Sequence, residues 1–344
     1  MKKFAALTLL GAAVTALTLL TGCGGDEAKS EAAASSSKAP DPIVLKLGHI
    51  QSEQDLWHLG SIKFKEEVEK LSNGTMTVEI YPNSTLGGDR DMAEGMRMGT
   101  VDFALIAGVL GNFDQSISIL ELPYLFRNHD EYVKIVDGPI GQEIAGNVLK
   151  SSGIRILNFW DRGPRHVTAN RPINTPEDLH GLKIRVPEIP AMVETWKVMG
   201  ATPTPMAWSE VYTGLQQHTI DAQENPIPFI YGGRIQEVQK YMVLTAHKYE
   251  YVTLAMSDRK YGQLTPEQQD IIVRAAKTAT DYENGLVVSE TDKLLDKMVK
   301  ENGMEVIKPD IAPFAELAIK AHHPYAKSIG QEDLLNRIEK ELGR

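Results

Sequence analysis

Three polar side chains stand where strand ends give way to loops, and each has a shape suited to holding a small anion. Arg185 lies in Leu182-Lys183-Ile184-Arg185-Val186-Pro187. Ile184 and Val186 share one face of that strand, so Arg185 takes the other, and Pro187 ends pairing on that edge. Arg165 follows Arg162-Gly163-Pro164 and opens the run Arg165-His166-Val167-Thr168. Asn225 closes Thr219-Ile220-Asp221-Ala222-Gln223-Glu224-Asn225 ahead of Pro226, which keeps it extended. Its amide offers two donors and an acceptor. A guanidinium suits a carboxylate because its planar fork makes two parallel charge-assisted hydrogen bonds. On residue type alone, the commoner use of an arginine is a surface or interdomain ion pair.

Signals for catalysis are weaker. His49, His58, His166 and the pair His322-His323 invite a metal or general-base reading, but no HExxH, GxSxG, P-loop or post-strand GxGxxG pattern accompanies them. His322-His323 reads as two exposed residues of a polar-faced helix, and Asp161-Arg162 as an ion pair. Met76, Met92, Met96 and Met98 read as core filler, and Trp160, Trp196 and Trp208, taken singly, as core. No catalytic residue, cofactor or metal site is expected. The single cysteine excludes an internal disulfide, and the formal charge of −10 argues against nonspecific nucleic-acid binding.

These side chains need a scaffold, and the 344 residues have room for two lobes, with 42% hydrophobic and 24% charged residues marking a globular body. Ile43 to His49 reads as a strand, Leu56 to Leu71 as a helix stopped by Asn73-Gly74, and Met76 to Tyr81 as a strand alternating at period two. Asp89 to Met98 reads as a helix ended by Gly99, and Val101 to Ala107 as a buried strand. This β-α-β-α-β order predicts a mostly parallel sheet with helices on both faces. A second unit of the same kind begins around Arg165. Thr175-Pro176-Glu177-Asp178 caps a short helix, Leu182 to Val186 is a strand, and Ala191 to Met199 and Trp208 to Gln217 are helices. Thr265-Pro266-Glu267-Gln268 opens a long amphipathic segment reaching Gly303. Its apolar stripe runs through Ile272, Ala275, Ala279, Tyr282 and Leu286, with Gly285 as a possible bend.

The amino terminus is a different kind of segment. Met1-Lys2-Lys3 precedes an uncharged apolar run, Phe4 to Leu20, and then Leu20-Thr21-Gly22-Cys23. A cationic start before a short apolar run is a secretory signal. Its end resembles the lipobox of bacterial lipoproteins, which implies cleavage after Gly22 and lipidation of Cys23. Gly24 to Pro42 has almost no large apolar residue and reads as a flexible tether. Loss of Lys2 and Lys3 with residues 1–22 moves the formal charge from −10 to −12. The expected product is a soluble body held outside the cytoplasm by a lipid, in the periplasm or on the outer face of the cell membrane.

Several segments occur together in one order: Leu86-Gly87-Gly88-Asp89-Arg90-Asp91, Lys183-Ile184-Arg185-Val186-Pro187, Gly200-Ala201-Thr202-Pro203-Thr204-Pro205-Met206, Ser209-Glu210-Val211-Tyr212 and Asp221-Ala222-Gln223-Glu224-Asn225-Pro226. From about Leu45 to about Pro313 the chain resembles the solute-binding proteins of TRAP transporters, the dicarboxylate-binding family. Ala222 departs from the family's usual glycine. The resemblance implies a two-lobed α/β periplasmic-binding-protein-like fold with crossing strands and one long helix along both lobes. On that reading residues 43–163 with about 251–290 form the first lobe and 164–250 with about 291–318 the second. Residues 319–344 then pack as helices on the body.

The resemblance also implies that Arg185 clamps a ligand carboxylate, with Arg165 and Asn225 as secondary partners. Sialic-acid-binding members carry a glutamate and an arginine where this chain has Ala107 and Leu110, so that ligand is not expected. Trp208 could stack on a sugar ring, His49, His58, Asp89 and Glu188 could bond hydroxyls, and Arg90 is the nearby candidate for a second cationic clamp. The expected function is that of a monomeric receptor passing an organic acid, best a hexuronate or aldonate, to TRAP membrane subunits. The lipid is its only membrane attachment. The alternatives are a receptor for C4-dicarboxylates or 2-oxo acids, a sensing partner, or an enzyme on a sugar acid using His166 or His49.

Overall fold

The computed structural model describes residues 42–344. The signal segment, Cys23 and all but the last residue of the tether lie outside the described residues. Among the described residues, nine strands join in one sheet. Strands β1 (Ile43–Gly48), β2 (Met76–Tyr81) and β3 (Phe103–Ile106) form a parallel half, connected by helices α1 (Leu56–Leu71) and α2 (Asp89–Met98). The other half holds three further strands. Parallel pairs join β5 (Lys183–Val186) to β6 (Thr202–Pro205) and to β7 (Ala222–Pro226). Two long strands, β4 (Ile154–Ala169) and β8 (Tyr241–Ser257), pair antiparallel and run through both halves. The short strand β9 (Glu305–Ile307) lies beside β8, and the order of the rest is β2-β1-β3-β8-β4-β7-β5-β6. The two-lobed α/β fold expected from the sequence is the observed one.

The central strands are where local sequence and structure part company. Arg165 does not open a strand; it lies three-quarters of the way along β4, which starts at Ile154. Asp161-Arg162-Gly163-Pro164 looks like a turn, but it is a bulge. Asp161 faces Tyr251 and Gly163 faces Glu250, so Arg162 is an extra residue in the ladder. Gly163 takes φ +70°, which a residue with a Cβ adopts only with strain. Strand β8 has no clear signal in the sequence, because His247, Lys248 and Glu250 interrupt its apolar run although all three are buried.

Smaller differences have simple causes. Strand β3 is shorter than Val101 to Ala107, because the chain turns at Ala107 into a tight helical turn, Gly108–Asn112. The long helix, Pro266–Asn302, is continuous through Gly285. Ile272, Ala275 and Ala279 are buried on it, but Tyr282 is 42% exposed and its neighbour Glu283 is buried instead. The stripe turns by one residue there because α1 and β4 bring Gly60 and Trp160 against Glu283. Met98 is 63% exposed in the last turn of α2, so it is not core, whereas Met76, Met92 and Met96 are. His322 is buried and its Nε2 donates to the Pro123 carbonyl (2.8 Å), so only His323 of that pair is exposed. Helices at Ala312–Ala318, His322–Ser328 and Glu332–Glu341 complete the chain, and Arg337 ties the last to the body through a two-pronged bond to Glu143 (2.7 Å each). Among the described residues no helix is long and apolar enough to cross a membrane.

Candidate ligand-binding cavity

A cavity of about 230 Å³ opens between the two halves of the sheet. The amino-terminal end of α2 contributes Asp89 and Arg90, the bulged middle of β4 contributes Arg162 and Arg165, and the carboxyl end of β5 contributes Arg185. Parity explains the β4 pair. Residues three apart on a regular strand face opposite sides, and the extra residue at Arg162 restores both arginines to one side. The loop carrying Asp89 is set by Gly87 at φ +96°, where a Cβ would lie 2.5 Å from that of Asp91. Asp91 Oδ2 in turn accepts from the Gly88 amide (2.9 Å) at the start of the helix.

Arg185 is buried, and its Nε and Nη2 both donate to the Met206 carbonyl (3.0 and 2.7 Å). Among the described residues no carboxylate lies within 4.0 Å of it. Burial lowers its pKa to about 10, so it remains a cation at neutral pH. A buried cation facing a cavity without a counter-charge is an anion site by construction.

Arg165 lines the same cavity in a different condition. Its Nε donates to Glu224 Oε2 (2.5 Å), its Nη2 to Glu224 Oε1 and the Glu224 carbonyl (2.7 Å each), and its Nη1 to Glu250 Oε2 (2.5 Å). One N–H of Nη1 is left for anything else. His247 Nε2 also donates to Glu224 (2.9 Å), and Lys248 holds Glu250 (2.8 Å). Glu224 and Glu250 are therefore held away from Arg185 by cations of their own. Asn225 is oriented by a relay: its Nδ2 donates to Gln223 Oε1 (2.8 Å), and Gln223 donates to Thr168 (2.9 Å).

The other sequence-derived candidates divide. Asp89, Trp208, Glu188 and Arg90 line the cavity, Glu188 and Arg90 at its exposed rim. Trp208 packs against Phe229 with ring centres 4.4 Å apart. His49 and His58 do not line it. Their rings bond each other (Nε2 to Nδ1, 3.1 Å), and burial pulls His49 down to about 3. His166, the other candidate for catalysis, is also outside the lining, and its Nδ1 accepts from the Ala246 amide (3.1 Å).

Comparison with known proteins gives this geometry a context. Residues 47–328 match the family model of bacterial extracellular solute-binding proteins, family 7. The chain belongs to that family. A solute-binding protein of Roseobacter denitrificans is 37% identical over 288 residues, covering 83% of this chain and 88% of the relative. The 2,3-diketo-L-gulonate-binding periplasmic protein of Escherichia coli is 35% identical over 300 residues, covering 86% and 91%. The crystal structure of a TRAP periplasmic solute-binding protein from Roseobacter denitrificans with bound L-galactonate superposes at TM-score 0.83 and 35% identity, covering 88% of this chain and 99% of the other.

For a family 7 protein, the lining also holds residues that sequence reasoning passed over. Arg162 was read as an ion-pair partner of Asp161, but Asp161 bonds His129 (2.7 Å) and Arg162 is among the residues lining the cavity. Trp57, Phe229 and Glu250 are among the others. The available signal was the odd spacing of Arg162 and Arg165 across Gly163, which only a bulge brings to one face.

Asp89 makes the site sensitive to pH. Its Oδ1 is buried without a partner, and burial pushes its pKa up to about 7 despite Arg162 and Arg185 nearby. Below pH 7 the carboxyl is neutral; above it, a negative charge faces any anionic ligand. Affinity for such a ligand should fall as pH rises through 7, by at most about tenfold per unit, since one proton is linked. Titrations between pH 6 and 8.5 should show this slope in the wild type and its loss in Asp89→Asn. Equal slopes in the two proteins would remove Asp89 from the account.

Proposed function

We propose that this chain is an extracytoplasmic receptor that binds a sugar acid, an aldonate or hexuronate, by its carboxylate and delivers it to TRAP membrane subunits. The observation that carries this is Arg185, a buried guanidinium facing the cavity with no carboxylate of the protein on it. The L-galactonate bound by one relative and the 2,3-diketo-L-gulonate named for another support the same ligand class. A carboxylate on the Arg185 fork, the Asn225 amide beside it and Asp89 on the opposite lobe would together recognise a polyhydroxylated acid.

Asp89 and Arg185 belong to different halves of the sheet, so a ligand touching both favours the closed arrangement of the lobes by its differential contacts. The lobe division 43–163 with about 251–290, against 164–250 with about 291–318, fits this, β4 and β8 forming the hinge. Binding needs no bond made or broken, and the histidines considered for catalysis stand outside the cavity lining. This favours a receptor over an enzyme.

The amino-terminal motif supports a lipid on Cys23 as the membrane attachment. Cys23→Ser protein should then leave the membrane fraction and still bind ligand; retention in membranes would count against the anchor. For the clamp, an ammonium keeps the charge of Arg185 but not its fork. Arg185→Lys should weaken hexonate or hexuronate binding by about 2–5 kcal/mol in calorimetry. Binding within threefold of wild type would show that the carboxylate sits elsewhere.

A further inference from the structure

Two guanidiniums in this cavity, not one, are left short of partners, and an aromatic row separates them. Trp57 and Phe229 have ring centres 5.5 Å apart, and Phe229 and Trp208 4.4 Å. Arg185 lies over the Trp208 end at 5.7 Å. Arg162 lies over the other end, 4.7 Å from the Trp57 ring centre and 4.3 Å from that of Phe229. Arg162 is buried, and its Nη2 has no hydrogen-bond partner among the described residues. Its one ion pair is long, 3.8 Å from Nη1 to Glu250. Contact with both rings restricts the positions open to the guanidinium.

The two ends differ in charge. Arg185 has no carboxylate of the described residues within 4.0 Å, with Glu224, Asp89 and Glu188 at longer range, whereas Arg162 has Glu250 at 3.8 Å. A second ligand carboxylate at Arg162 would be repelled by Glu250, which Lys248 and Arg165 hold ionised. A neutral oxygen acceptor would not.

We infer that Arg162 is a specificity-determining residue that donates a hydrogen bond to an uncharged hydroxyl or oxo oxygen at the end of the ligand remote from its carboxylate. This rests on the sugar-acid reading and narrows it. The preferred ligand is a monocarboxylate long enough to carry oxygen at both ends of the aromatic row, such as a hexonate, rather than a four-carbon acid or a dicarboxylate.

The test needs no variant at first. Calorimetry on the wild type compares L-galactonate with its 6-deoxy analogue, with erythronate and with the corresponding aldarate. A buried donor left unpaired should make the 6-deoxy and four-carbon acids bind about ten- to a hundredfold more weakly, and the aldarate should not exceed the hexonate. Arg162→Met, which keeps the stem and its packing, should bring hexonate affinity down to that of the 6-deoxy acid while leaving the 6-deoxy acid within threefold of its wild-type value. Deoxygenation without effect on the wild type, or aldarate binding most tightly, would overturn the inference. So would Arg162→Met weakening both acids equally, the signature of a merely structural residue. No sugar acid binding to the wild type would instead overturn the receptor reading on which this rests.

Discussion

A buried guanidinium without a counter-charge is unfavourable to the protein that holds it, because burial removes water and supplies nothing in its place. Arg185 is in that condition, and much of the surrounding structure is arranged so that it stays there. Two carboxylates, Glu224 and Glu250, lie in the same region. Arg165, His247 and Lys248 engage them at 2.5 to 2.9 Å, and Arg185 is left to a backbone carbonyl. A ligand carboxylate then completes what the protein withholds from itself. No carboxylate of the described residues within 4.0 Å has to be displaced from Arg185 first, and the Met206 carbonyl takes only Nε and one N–H of Nη2.

The scaffold supports this through the pair β4 and β8. Each half of the sheet is parallel and short-stranded, and these two strands are the backbone elements common to both. They carry the charged network in their middle, where Arg162, Arg165, Lys248 and Glu250 all fall. Polar side chains at the centre of a sheet would be costly if unpaired. Here they pair largely with one another, and the residual imbalance falls on the cavity. Several of the charged side chains that line the cavity therefore sit on the strands that join the two halves.

Much of this was legible in the amino-acid sequence. Regular elements with clear period and caps, such as Leu56 to Leu71 or the helix after Thr265, fall within a residue or two of their expected bounds. Arg185, Asn225 and Asp89 reach the cavity from ordinary strand ends and a helix start, which local pattern describes well. What failed was the long-range part. The β4 bulge imitates a turn, and β8 conceals its strand character behind buried charges whose partners lie on other strands. Arg162 was missed for the same reason, since its direction depends on a register that no local pattern encodes. His49 and His58 bond each other outside the cavity lining, since nearness to the first strand in sequence does not decide whether a side chain reaches the cavity.

The formal charge of −10 works against an anionic ligand at long range, but screening weakens that effect beyond roughly 10 Å at ordinary ionic strength. What remains is local, and it is a claim about one contact. A crystal structure of the protein with a hexonate such as L-galactonate tests it most directly. The account predicts both carboxylate oxygens within about 3 Å of the Arg185 guanidinium, with the hydroxyl chain extending along the aromatic rings. A ligand whose carboxylate lies against Arg162, or anywhere without contact to Arg185, would contradict it.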